Sequence, residues 1–285
     1  MEAGKEGVLG LDCYSPAQIQ DKVEKLGVKK ARLPLLASFM LSVVAGGGIG
    51  LGGLFFCIIL ADPTLGFAWQ RLLGGVVFSL GLALVVIGGA ELFTGNCLIV
   101  MAWMNRQIKT WEVLQNWTVV WIGNLVGALG LVFLVFMSHH WAMHDSAIGA
   151  AVIKLAIAKI EPDAVTIFFK GVLCNILVCL AVWLAYAGRS VADKMAGLVL
   201  PVAAFVAAGF EHCVANMYFL PLAYVLVQTG HVPFDVGDVS AITLTGIAHN
   251  LIPATLGNIV GGAGFVGLIY WAIYRKALGG LTPLK

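Results

Sequence analysis

Two stretches decide how this chain is read: Ala90-Glu91-Leu92-Phe93-Thr94-Gly95-Asn96 and Phe210-Glu211-His212-Cys213-Val214-Ala215-Asn216. Each puts a glutamate and an asparagine, with four residues between them, inside a long apolar run. A carboxylate at bilayer depth costs at least about 3 kcal/mol unless it is paired, neutral or wet. The economical explanation is that both helices break there and expose backbone N–H groups, which glutamate and asparagine side chains can satisfy. On that reading Glu91 and Glu211 are structural and pin the broken segments together with Asn96 and Asn216. A proton-relay role for either glutamate is the alternative.

The surrounding composition supports a membrane setting. Of 285 residues 60% are hydrophobic and 11% charged, with a mean hydropathy of +0.94, far from the quarter-charged composition of soluble domains. Runs with few or no charges cover 33–61, 72–105, 113–138, 171–188, 195–228 and 241–274. Each can cross a hydrocarbon layer that needs roughly 20 apolar residues, so the chain is predicted to span the membrane six times. The expected division is a segment at 1–32, a channel domain at 33–276 and a tail at 277–285. No short apolar stretch with a small-residue cleavage site precedes the first span, so 1–32 is expected to be a mature cytoplasmic segment. Within it, Ser15, Pro16 and Gln18 form a capping-box pattern, and Ile19, Val23 and Leu26 share one face; together they predict an interfacial amphipathic helix.

Lys and Arg outside the spans set the orientation. Thirteen of the 17, including Lys30, Arg106, Arg189 and Arg275, share one side; Arg71, Lys154, Lys159 and Lys170 lie on the other or at its boundary. Both termini are therefore expected in the cytoplasm. No basic block points to nucleic acid. Five cysteines, Cys57, Cys97, Cys174, Cys179 and Cys213, fall in apolar spans and read as small packing residues rather than a disulfide framework or a metal site.

The glutamate motif recurs in spans two and five, and Gly123-Asn124-Leu125-Val126-Gly127 in span three returns as Gly257-Asn258-Ile259-Val260-Gly261 in span six. Two matches in the same order predict a duplication of three spans. Three is odd, so the second copy is inverted. Glycines four apart let helices approach closely and are read as packing.

Among the histidines, His139, His140 and His144 sit beside Asp145 in an outer loop, where solvation is the plainer reading than metal binding. His231 is also in an outer loop, and His249 is read as bonding a neighbouring loop. His212 lies at the break of span five, flanked by Glu211 and Asn216. A buried histidine bonded to backbone is the plain alternative, but Thr94 at the matching break favours a small-anion site between half-helix ends.

The runs Phe78-Ser79-Leu80-Gly81-Leu82, Ala90 through Asn96, Cys174 through Trp183, Gly209 through Met217 and Asn250 through Asn258 closely resemble the formate/nitrite transporter family over about 33–274. The resemblance implies an aquaporin-like, all-α protomer of six transmembrane helices with helices two and five broken, a homopentamer, and one pore per protomer. It makes His212 the central pore histidine, with Thr94 as its hydroxyl counterpart and Asn175 as a polar neighbour. It also assigns Phe78 and Phe205 to an outer hydrophobic constriction, Leu82, Leu92 and Val178 to an inner one, and Lys159 to the outer funnel. Glu211 and Asn216 then hold the histidine and the break in place.

Formate, nitrite and hydrosulfide members share this scaffold. Met217-Tyr218-Phe219-Leu220-Pro221 resembles formate members, while Ile167-Phe168-Phe169-Lys170-Gly171 also resembles nitrite members. Formate is the first expectation, with protons and membrane lipid as further partners and no cofactor or metal. A bare carboxylate crossing hydrophobic rings meets a large desolvation penalty that a protonated acid avoids. With a pKa of roughly 4, about one acid molecule in a thousand is neutral at pH 7, which gives the titratable His212 a place in the mechanism. A membrane-embedded hydrolase using Glu211 and His212 is the rival from another class, but nothing resembles a nucleophile elbow or cofactor fingerprint.

Overall fold

The computed structural model describes residues 13–233 and 235–277, all helix, turn or coil. The first 12 residues and the tail from 278, ends of two expected segments, lie outside the described residues. The helices are α1 (Pro16–Ala31), α2 (Leu35–Leu60), α3 (Phe67–Gly88), α4 (Phe93–Asn96), α5 (Val100–Met104), α6 (Thr110–Met137), α7 (Ala147–Ile160), α8 (Ala164–Ala187), α9 (Val191–Ala207), α10 (Cys213–Gln228), α11 (Leu244–Ile259) and α12 (Ile269–Trp271). A 3₁₀ turn, Cys97–Ile99, joins α4 to α5, and a π-helical stretch, Val260–Leu268, joins α11 to α12.

Among the described residues α2, α3, α6, α8 and the continuous Leu244–Tyr274 stretch are each long and apolar enough to cross a membrane alone. The α9–α10 pair, of 17 and 16 residues, occupies the remaining predicted crossing. Both breaks exist, but the first is not in mid-span. Gly89 adopts φ +77 and ends α3 after 22 residues, which leaves only the short Phe93–Met104 stretch beyond it. Gly209, at φ +69, divides the second pair more evenly. Only glycine takes this left-handed conformation without a Cβ penalty.

Glycine sets the helix spacing, as the sequence predicts. A Cβ on Gly127 of α6 would run into the Val43 carbonyl of α2, and one on Gly261 would run into the Val172 carbonyl of α8. These matched contacts bring backbone against backbone. The outward faces stay apolar, with Leu36, Met40, Phe133, Leu134 and Phe169 at least 59% exposed, a surface suited to lipid or neighbouring copies.

The capping box forms as expected: Ser15 Oγ accepts from Gln18 N–H, and Gln18 Oε1 accepts from Ser15 N–H. The apolar stripe of α1 differs from the interfacial expectation. Ile19, Val23 and Gly27 are buried, and a Cβ on Gly27 would sit 3.2 Å from Ala102 Cβ. The face is thus used against the bundle, at α5 and its preceding turn.

Candidate functional site

Two nodes hold the breaks. In the first, Lys30 Nζ donates to Glu91 Oε1 at 2.8 Å and to Asn96 Oδ1 at 2.9 Å. Asn96 Nδ2 donates to Glu91 Oε2 and to Asn116 Oδ1, and Asn116 Nδ2 donates to the Lys30 carbonyl. In the second, Lys159 Nζ donates to Glu211 Oε2 at 3.0 Å. Asn216 Nδ2 donates to Glu211 Oε2 and Asn250 Oδ1, and Asn250 Nδ2 donates to the Lys159 carbonyl. Glu211 is 1% exposed; three charge-assisted donors on one oxygen offset its desolvation.

The asparagines of the repeated glycine motif finish the work. Asn124 Oδ1 accepts from Phe93 N–H while its Nδ2 donates to the Ser42 and Glu91 carbonyls. Asn258 Oδ1 accepts from Cys213 N–H while its Nδ2 donates to the Gly171 and Glu211 carbonyls. Backbone groups freed by each break are thereby satisfied inside the protein.

Between the nodes Thr94 Oγ1 lies 3.0 Å from His212 Nε2. His212 caps α10: its Nδ1 accepts from Ala215 N–H at 3.1 Å. An accepting Nδ1 assigns the proton of the neutral ring to Nε2, which donates to Thr94 and leaves the Thr94 hydroxyl hydrogen free for another acceptor. The His212 ring stacks on Phe205, centroids 5.8 Å apart, and Phe205 meets Phe78 edge-on at 5.8 Å.

Two cavities approach this pair without sharing a lining residue. One, of about 290 Å³, includes Lys30, Leu82, Glu91, Leu92 and Asn96 in its wall. The other, of about 30 Å³, includes Arg71, Phe78, Lys159, Phe205, His212 and Asn216. Most expected site residues therefore border one of two spaces. Thr94, Asn175, Val178 and Glu211 line neither, although Gly95 and Asn96 next to Thr94 line the larger. Asn175 donates to the Thr94 and Asn258 carbonyls and so ties the first break to the end of α11. Lys159, expected at the outer funnel, is 8% exposed and paired with Glu211.

Thr94 and His212 meet from positions that are not equivalent in the two glutamate motifs. Aligning Glu91 with Glu211 pairs His212 with Leu92, and Thr94 with Val214. Lys30, Asn116, Asn124, Asn250 and Asn258 were not singled out as site residues from the sequence, although Asn124 and Asn258 sit in the repeat that was. Among the described residues no three His, Cys, Asp or Glu side chains group to hold a metal. His249 bonds the Pro162 carbonyl of a neighbouring loop.

The family profile described as Formate/nitrite transporter matches residues 17–272. The chain belongs to the formate/nitrite transporter family. It is 39% identical to "Formate channel FocA" of Escherichia coli (strain K12), over 93% of this chain and 96% of that protein. It is 37% identical to "Uncharacterized transporter YrhG" of Bacillus subtilis (strain 168), over 92% and 94% of the two. Among solved structures it matches "Pentameric formate channel with formate bound" with a TM-score of 0.76 and 38% identity, covering 85% of this chain and 98% of that one. Such relatives place this formate/nitrite transporter among membrane channels and transporters rather than enzymes.

Proposed function

We propose that this chain forms a homopentameric formate channel of the plasma (inner) membrane, each protomer crossing six times as an inverted three-plus-three repeat with both termini cytoplasmic. The observation that carries the reading is the Thr94–His212 contact at 3.0 Å, with His212 on the wall of the smaller cavity and Gly95 and Asn96, next to Thr94, on the wall of the larger. The naming of the solved relative as a pentameric formate channel with formate bound supports the solute and the assembly.

In this reading Phe78 and Phe205 close the outer side, and Leu82, Leu92 and Val178 close the inner side. Such rings select by aperture and dewetting. The buried Thr94 hydroxyl is, on this reading, the donor offered to a solute that enters between them, polarised by His212 Nε2–H and in turn by the Ala215 N–H on Nδ1. Hydrogen bonds in such a chain strengthen one another in a low-dielectric site. A second proton on the ring goes to Nδ1 and breaks the bond from Ala215, so charging His212 loosens the first turn of α10. The Nε2 proton then passes through the Thr94 hydroxyl to the carboxylate, which crosses the hydrophobic ring as neutral acid.

The test is formate flux in sealed vesicles between pH 5 and 8 for wild type, His212→Asn and His212→Phe. His212→Asn keeps a donor but cannot titrate, so it should still bind the anion yet lose the pH dependence; His212→Phe should lose proton-linked uptake. Matching pH profiles in His212→Asn and wild type overturn the proton role. Nitrite flux with no formate flux overturns the solute.

A further inference from the structure

Cations at the two cavities are not equally engaged. Lys30 is met by Glu91 and Lys159 by Glu211. Arg71, near the start of α3, also lines the smaller cavity, together with Phe78, Phe205 and His212. It is half-buried, and among the described residues no hydrogen bond or ion pair engages its guanidinium. What holds it is an aromatic face: the guanidinium carbon lies 5.4 Å from the Phe67 ring centroid. A cation over a ring face keeps its N–H donors available for another partner. Gly209, at the second break, lies opposite with no side chain, the position a Cβ would take being 3.9 Å from Arg71 Nη1.

We propose that Arg71 is the capture residue of the outer mouth: its guanidinium takes a planar, two-oxygen anion through paired N–H···O bonds before the anion sheds water and passes Phe78 and Phe205. The geometry fits a small carboxylate because a fork of donors matches two oxygens on one atom, whereas an ammonium offers only a point charge. Lys159 cannot substitute, since Glu211 already occupies it. The charge of Arg71 also raises the local anion concentration, an effect that salt screens. This inference rests on the channel reading above and names the residue that admits its solute.

The experiment measures formate flux in vesicles at low and at saturating formate, at two ionic strengths, for wild type, Arg71→Gln and Arg71→Lys. Exposed charge-assisted pairs are weaker than buried ones, so Arg71→Gln should lower permeability at low formate about tenfold. Saturated flux should stay within about twofold, because the central step is untouched. Most of the salt sensitivity should vanish. Arg71→Lys restores the charge without the fork, so salt sensitivity should return in full and permeability only in part. Unchanged low-formate permeability in Arg71→Gln overturns the proposal, and full recovery in Arg71→Lys overturns the paired-bond contact. Wild-type vesicles that carry no formate would instead defeat the channel reading.

Discussion

The two nodes are built from the same parts and differ in two bonds: Lys30 to Asn96 in the first, and Asn250 to Glu211 in the second. Lys30 reaches both Glu91 and Asn96, whereas Lys159 reaches Glu211 alone, and Asn216 Oδ1 is buried with no hydrogen-bond partner. Burial differs as well: the lysine and glutamate side chains are 20% and 5% exposed in the first node but 10% and 2% in the second. The same chemistry therefore sits in two dielectric settings. The wetter node borders the larger cavity, and the drier one borders the narrow cavity beside His212. The position after each glutamate follows suit: Leu92 caps nothing with its side chain, whereas His212 caps α10. Both breaks are braced by the same kinds of residue, and only the second also holds a titratable ring.

The largest expected effect tests the difference in burial. Removing one partner of a buried ion pair leaves the other charge uncompensated, at about 3–5 kcal/mol. Glu211→Ala also strips Asn216 and Asn250 of a shared acceptor. It should cost that full amount, while Glu91→Ala costs about half because water reaches Lys30. Thermal unfolding of the detergent-solubilised protein reads the difference. Equal losses would mean that the nodes are equally wet and that the comparison fails.

A second pair of substitutions tests what the nodes share. Asn124 and Asn258 each make three hydrogen bonds to buried backbone. Truncating either to Ala leaves orphaned N–H and C=O groups and should cost about 2–3 kcal/mol. Here the two losses should agree to within about 0.5 kcal/mol, the usual scatter for independent sites. A clear inequality in melting would show that one break is braced by groups other than its asparagine.

How far the sequence reveals this arrangement depends on spacing. Glu91/Asn96 and Glu211/Asn216 are legible because motif and partner lie on one short segment, so their separation survives duplication. The lysines are not legible, because each reaches its glutamate across a loop. Lys30 and Lys159 are 129 positions apart, the glutamates 120, and Asn116 and Asn250 134. Loops change length at little thermodynamic cost, so no single offset aligns a whole node. The glycines of α6 and α11 were read as packing, which they are. The asparagines beside them fix the breaks by contacts with α2 and α8, and such contacts leave no periodic signature. Arg71 reads as a boundary cation for the same reason: only the folded chain brings α3 against Gly209.

The smallest expected effect concerns the helices that deliver the lysines. Lys30 is the penultimate residue of α1 and Lys159 that of α7, yet the two helices start differently. Ser15 caps α1 with a reciprocal bond to Gln18, whereas Ser146 before α7 has φ +64 and no side-chain cap bond. Loss of a cap costs about 1 kcal/mol, so Ser15→Ala should weaken α1 by that amount, read as faster amide exchange in its first turn. The left-handed conformation at Ser146 costs a non-glycine residue about 1–2 kcal/mol. Glycine relieves this but gives the unfolded chain more freedom, a partial offset. Ser146→Gly should therefore raise stability by about 0.5 kcal/mol and leave flux unchanged, since Lys159 lies more than three turns further along α7. A loss of stability in Ser146→Gly would show that the serine hydroxyl supports the start of α7, and that both lysine-bearing helices are anchored by their first residues.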